Sequence, residues 1–109
     1  MRFKANKDEI MSLEKTINAI AEMYFWAISK KDHEQMIFDA ENELSDYERF
    51  VIRVRHAFDK LSQTEKEFIN NDFFYQEYPD WWKGKYSKAT YFKIHKRSML
   101  SFKEAFERE

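Results

Sequence analysis

A single glycine and a single proline in 109 residues restrict this chain more than any motif in it. Hairpins and tight turns draw heavily on Gly and Pro, so a β-sandwich or barrel is excluded. No G-x-G-x-x-G and no G-K-[ST] occurs, which removes the dinucleotide-binding and P-loop folds as well. What remains is an all-α domain of four to five helices. Apolar residues make up 43%, enough for one modest core, so residues 1–109 are read as a single domain.

The chain contains no Cys, so disulfide scaffolds and thiolate metal sites are excluded, and a reducing compartment fits. No run of 18 apolar residues exists, and Met1-Arg2-Phe3-Lys4 leads into no signal-peptide core. The expectation is a soluble cytoplasmic protein with no membrane partner.

The net charge of −1 conceals a polarised chain. Residues 1–82 carry 11 basic and 17 acidic side chains, and residues 83–109 carry 8 and 3. The stretch Lys83–Lys103 has seven basic residues and no acid, whereas His33–Glu48 has six acids and no Lys or Arg. Such a division points to different partners at the two ends.

Hydrophobic spacing places the helices. Ile10, Leu13, Ile17, Ile20 and Tyr24 recur at steps of three and four, predicting a helix from Asn6 to about Lys30. Asn6 with Glu9 has the spacing of a capping box, and Lys30-Lys31 suits a helix C-terminus. Met36, Ala40, Leu44, Tyr47, Val51, Val54 and Phe58 continue the period, predicting one long helix over about 33–60, with a break near Ser45 as the alternative. Residues 6–60 then form a helical hairpin whose apolar stripe packs on itself or across a homodimer. Leu61-Ser62-Gln63-Thr64-Glu65 is a capping box opening a third helix to about Asp72, which buries Phe68 and Ile69. Six of the eleven residues from Asp72 to Trp82 are aromatic, and Pro79 suits a turn or the start of a short helix there. Gly84 supplies the next turn. Ser87 then caps a final helix from Lys88 to about Phe106, with Tyr91, Ile94, His95, Ser98, Met99, Phe102 and Phe106 on one face and only Leu100 out of pattern.

No residue pattern points to an enzyme, a metal or a cofactor. His33, His56 and His95 stand at no ligand spacing, and the carboxylates are scattered. His95 falls on the apolar side of its helix and reads as a packing histidine. The aromatic run 73–82 reads mainly as packing, with Trp81 and Trp82 under the final helix; a protein-docking patch and a base-stacking platform are the alternatives. The acidic stretch reads as a solvated face, or as a contact for a basic protein such as a polymerase subunit.

The basic helix carries the functional reading. Lys83 and Lys85 precede the Ser87 cap, and Lys88, Thr90, Lys93, Lys96 and Arg97 follow it. A helix N-terminus favours phosphate, and cations on its outer face reach a phosphate backbone or base edges. At i, i+3 and i+4 spacing Lys93, Lys96 and Arg97 repel one another, with no acid nearby in the chain to relieve them.

Leu61-Ser62-Gln63-Thr64-Glu65-Lys66-Glu67-Phe68-Ile69 resembles the start of region 4 of sigma-70-type factors. Tyr86-Ser87-Lys88-Ala89-Thr90-Tyr91-Phe92-Lys93-Ile94 resembles its recognition helix, and resembles still more the final helix of phage late-gene activators of the RinA/ArpU kind. The Lys, Phe and Asn usage is also similar to that of short proteins of A+T-rich mollicute bacteria. The first resemblance spans about residues 58–106; Tyr78–Gly84 stands where the family has a regular helix. It implies a C-terminal helix-turn-helix over 61–106 that binds double-stranded DNA as a transcriptional regulator. Ser87 would meet the DNA backbone, and Lys88, Ala89, Thr90 and Lys93 would face the groove. The alternative is a non-enzymatic interaction module whose acidic and aromatic surfaces dock a partner such as RNA polymerase.

Overall fold

In the computed structural model the described residues are 2–37 and 46–109, with side chains described over 7–30 and 46–109. They form four α-helices and one π-helical segment, with no strand among them: α1 (Arg2–Ile37), α2 (Asp46–Asp59), α3 (Gln63–Ile69), the π segment (Asn70–Phe74) and α4 (Lys88–Arg108). The protein is all-α, as the scarcity of Gly and Pro requires.

The 36 residues of α1 rise 1.5 Å each, about 54 Å in all, and the longest dimension of the molecule is 54 Å. One helix therefore sets the length, and the others pack along it. Its stripe of Leu13, Ile17, Ile20, Ala21 and Ala27 is buried, with Ile10 and Tyr24 half-buried beside it. Both expected ends are corrected. Asn6 lies inside α1, not at its cap, and the helix passes Lys30-Lys31 to Ile37. A cation pair favours a C-terminus by only about 0.3–1 kcal/mol, and no Gly or Pro stands there to stop the helix.

Residues 33–37 consequently belong to α1, so the helix expected to begin at about His33 does not start there. The next described helix is α2. It packs back along α1, with Tyr47 edge-on to Trp26 at 5.1 Å and Arg55 Nε donating to the Tyr24 hydroxyl at 3.1 Å. This is the expected N-terminal hairpin, with its arms at different bounds. The expected break near Ser45 lies outside the described residues, as does half of the acidic stretch 33–48, residues 38–45. Asp46 and Glu48 stand in the first turn of α2, where the helix dipole favours them.

Ser62 caps α3 as its spacing predicts. The Glu65 N–H donates to Ser62 Oγ at 3.2 Å, and the Ser62 N–H donates to Glu65 Oε1 at 2.9 Å. Ser62→Ala is expected to lower stability by about 1 kcal/mol, read as a melting temperature roughly 5 °C lower. An unchanged melting curve would show that the cap carries no stability. Phe68 and Ile69 are fully buried.

The helical run from Gln63 ends at Phe74, near the expected Asp72, but its last turn widens into the π segment, closed by the Tyr75 N–H donating to the Asn70 carbonyl at 2.7 Å. The extra residue in the turn redirects three consecutive side chains. Phe73 stacks on His95 at 5.6 Å, Phe74 meets Tyr24 at 5.6 Å and Phe102 at 6.0 Å, and Asp72 is brought against α4.

Residues 75–87 are irregular. The turn expected at Pro79 forms, without the short helix, and is followed by others, with Trp81 N–H bonded to Tyr78 O, Lys83 N–H to Asp80 O and Lys85 N–H to Trp82 O. Gly84 lies among them without a positive φ and with open space where a Cβ would stand, so these turns do not depend on glycine.

Helix α4 then runs through the centre. Ser87 caps it, accepting from the Thr90 N–H at 3.2 Å. Tyr91, His95, Ser98, Met99, Phe102 and Ala105 are buried; Leu100, the residue out of pattern, is 41% exposed. The core joins Leu13, Ile17 and Ile20 of α1, Val54 and Ala57 of α2, Leu61, Ile69, Phe73, and Met99 and Phe102 of α4. Arg53 of α2 fastens the far end of α4, its Nε donating to the Phe106 carbonyl at 3.0 Å and its guanidinium 3.9 Å above the Phe106 ring.

Candidate nucleic-acid interface

The first two turns of α4 face solvent on one side because the hydrophobic period commits the other side to the core. Lys88, Ala89, Thr90, Phe92 and Lys93 are all exposed. The first turn holds no acid. Ser87 Oγ donates to Thr90 Oγ1 at 3.0 Å while accepting from the Thr90 backbone, so both hydroxyls are held at the mouth of the helix. Lys88 and Lys93 have no carboxylate within ion-pair distance among the described residues.

The other cations are not bare. Lys83 lies 3.3 Å from Asp80, and Lys85 lies 3.1 Å from Glu67. Lys96, expected on the outer face, is half-buried and lies 3.7 Å from Glu9 of α1. Arg97 lies 3.8 Å from Glu65. The stretch is free of acids in sequence only: folding brings Glu9, Glu65 and Glu67 to it from α1 and α3. Burial would raise the Glu65 carboxyl. The Ser62 N–H, the hydroxyls of Ser101 and Ser62 and the Arg97 charge outweigh that and hold it below the usual carboxylate range. Mutual repulsion of Lys93, Lys96 and Arg97 is thus partly relieved inside the protein. Exposed pairs of this kind contribute about 0–1 kcal/mol and exchange readily with an outside anion.

The helices of the expected helix-turn-helix, α3 and α4, pack on each other with residues 75–87 between the π segment and α4. A tight helix-turn-helix has a connection of about 3–4 residues. Here the connection is a packed layer of its own. Trp82 stacks on Tyr91 at 4.3 Å, and Trp81 sits edge-on to Phe68 at 4.9 Å. Both indoles are half-buried against α3 and α4, as the packing reading of the aromatic run expects. Tyr75 and Tyr78 of the same run are exposed.

A second constellation was not legible in the sequence. Asp72, whose side chain is 9% exposed, accepts from three directions. Trp81 Nε1 donates to Oδ1 at 2.9 Å, the Tyr91 hydroxyl donates to Oδ2 at 2.9 Å, and His95 Nδ1 lies 2.7 Å from Oδ2. The other ring nitrogen of His95 lies 2.9 Å from Glu14 Oε2 of α1. Burial and then the Asp72 carboxylate push the Tyr91 phenol well up, so it stays a donor. His95 is the packing histidine expected, now with a carboxylate on each nitrogen, which leaves neither nitrogen open to a substrate. No group of three His, Asp or Glu among the described residues is arranged to hold a metal ion. No helix among them is long and apolar enough to cross a membrane.

Compared with known proteins, the chain matches no family model, no curated protein and no solved structure.

Proposed function

We propose that this protein binds duplex DNA through the solvent-facing start of α4 and regulates transcription, with no enzymatic step. One observation carries the reading. The exposed first turns of α4 present Lys88, Thr90 and Lys93 beside a Ser-capped N-terminus without an acid, and Lys88 and Lys93 have no internal carboxylate partner among the described residues. Lys88 and Lys93 neutralise phosphates, Ser87 and Thr90 add hydroxyl contacts, and Arg97, with its side chain 58% exposed, exchanges Glu65 for a phosphate. The likeness of residues 86–94 to sigma-type and late-activator recognition helices points the same way. The test is fluorescence anisotropy on a labelled random duplex, read from about 50 to 200 mM salt. Affinity is expected to fall steeply with salt. Lys88→Ala with Lys93→Ala is expected to weaken binding and flatten the log–log slope by about two units, one for each phosphate no longer neutralised. No binding by the parent at low salt, or equal binding by the double variant, overturns the reading.

A protein partner, such as a polymerase subunit or a second copy of this chain, is the second reading. It is favoured by a cleft of about 190 Å³ between Tyr24, Val54, Phe58, Phe74 and Tyr75, with Phe25 and Tyr75 exposed at its side and 5.6 Å apart. Arg55 and Asp59 also line this cleft, so binding there is expected to vary with salt, but less steeply than binding to a phosphate backbone.

A further inference from the structure

The surroundings of His95 specify its protonation by geometry. Its ring nitrogens lie 2.7 Å from Asp72 Oδ2 and 2.9 Å from Glu14 Oε2. A neutral imidazole has one N–H, so one of its nitrogens would set a lone pair against a carboxylate oxygen. With both carboxyls ionised, both contacts are attractive only when both nitrogens carry hydrogen. Phe73 and Tyr91 lie nearly parallel to the ring, at 13° and 21°, and restrain its turning.

The groups facing this ring come from three elements. Glu14 reaches it from α1 and Asp72 from the π segment. From α4 come Tyr91, bonded to the same Asp72 oxygen, and Lys96, paired with Glu9 of α1. No charged side chain of α2 or α3 among the described residues lies within ion-pair distance of His95 or Asp72. The two carboxylates are unequal. Asp72 is enclosed and holds two further donors, whereas the Glu14 side chain is 38% exposed and can turn to water.

We propose that His95 is a pH-sensitive clasp that, when protonated, ties α1 to α4 and the π segment, and that on losing its proton keeps Asp72 and releases Glu14. The neutral ring retains its hydrogen on Nδ1 toward Asp72. Nε2, left with a lone pair, repels the Glu14 carboxylate, which swings into solvent. The apolar contact of Leu13 and Ile17 with the core remains, so α1 loosens around Glu14 without detaching.

The direction follows from the charges. Burial would push the His95 pKa down. The hydrogen bonds to Asp72 and Glu14, with their charges, outweigh it and hold the imidazole above its ordinary value of 6.5. A raised histidine contributes its full stabilisation below the unfolded value, and this is lost as the pH rises through the folded one. The clasp is closed in mild acid and opens on the alkaline side.

The test uses the full chain carrying His33→Gln and His56→Gln, so that His95 is the only imidazole. Its nitrogen NMR shifts and the hydrogen exchange of α1 amides, corrected for intrinsic rates, are followed from about pH 5.5 to 9.5. Both nitrogens are expected to read as protonated at pH 6.5. Exchange around Glu14 is expected to rise several-fold as the ring titrates, beyond the change in α4. Glu14→Gln, at a partly exposed position, is expected to keep the fold. It is expected to lower the His95 midpoint by about half a unit or more and to abolish the pH-linked change in exchange. A singly protonated ring at pH 6.5, α1 protection unmoved through the titration, or a midpoint unmoved in Glu14→Gln overturns the proposal.

Discussion

Asp72→Asn is expected to destabilise the protein by about 3–5 kcal/mol, the range for breaking a buried charge pair by removing one partner. For a domain of this size that lowers the melting temperature by roughly 15–25 °C. The reason is the crowd of donors. Trp81 Nε1, the Tyr91 hydroxyl and His95 Nδ1 all point at this one carboxylate. Asparagine keeps the volume, loses the charge and turns one acceptor into a donor facing other donors. His95 keeps only Glu14 as a counter-charge, at the more exposed end. Because Asp72 and His95 are directly coupled, the same substitution in a His95→Gln background is expected to cost less than it does alone, by about 0.5–3 kcal/mol. Thermal unfolding of the two single variants and the double variant checks both statements. A melting temperature within a few degrees of the parent for Asp72→Asn would show that the network carries little of the fold.

Phe68→Ala is expected to have an effect of the same size, about 3–5 kcal/mol, through packing instead of charge. Phe68 is fully buried and is the ring on which the irregular connection rests. Trp81 meets it at 4.9 Å, Tyr86 at 5.3 Å and Tyr91 at 5.6 Å. Each such ring pair adds about 0.5–1.5 kcal/mol beyond the area it covers. With the ring gone, Trp81 loses its support, so tryptophan emission in the folded variant is expected to move to longer wavelength. A large loss of stability without that shift would show that Phe68 supports the core alone and not residues 75–87. Together the two substitutions separate what holds the connection to α3 and α4, namely a buried carboxylate on one side and an aromatic ring on the other.

Local signals proved sufficient where the deciding interaction spans a few residues. The Ser62–Glu65 box and the Ser87 cap were readable because cap and helix are neighbours in the chain. The buried face of α4 was readable because a helix repeats every 3.6 residues, and Leu100 stood out of pattern and is exposed. Scarcity of Gly and Pro settled the all-α class. The ends of α1 were not readable, since Asn6 and Lys30-Lys31 are weak stops that neighbouring helix formers override.

The candidate interface shows the same division. Exposure of Lys88, Thr90 and Lys93 on the outer side of α4 follows from periodicity alone. The pairing of Lys85 with Glu67, Lys96 with Glu9 and Arg97 with Glu65 does not, because those partners lie between 18 and 87 positions away in the chain and meet only through packing. Asp72 is the sharpest case. In sequence it is one acid beside an aromatic run, and it gives no sign that Trp81, Tyr91 and His95 converge on it. Their convergence depends on the π turn, on the path of residues 75–87 and on the angle at which α1 brings Glu14 to the far side of the ring. Charge and hydrophobic period specify which faces a helix turns inward. Which buried groups then meet is specified by the three-dimensional path of segments far apart in the chain, where low exposure makes each polar contact strong and each missing partner costly.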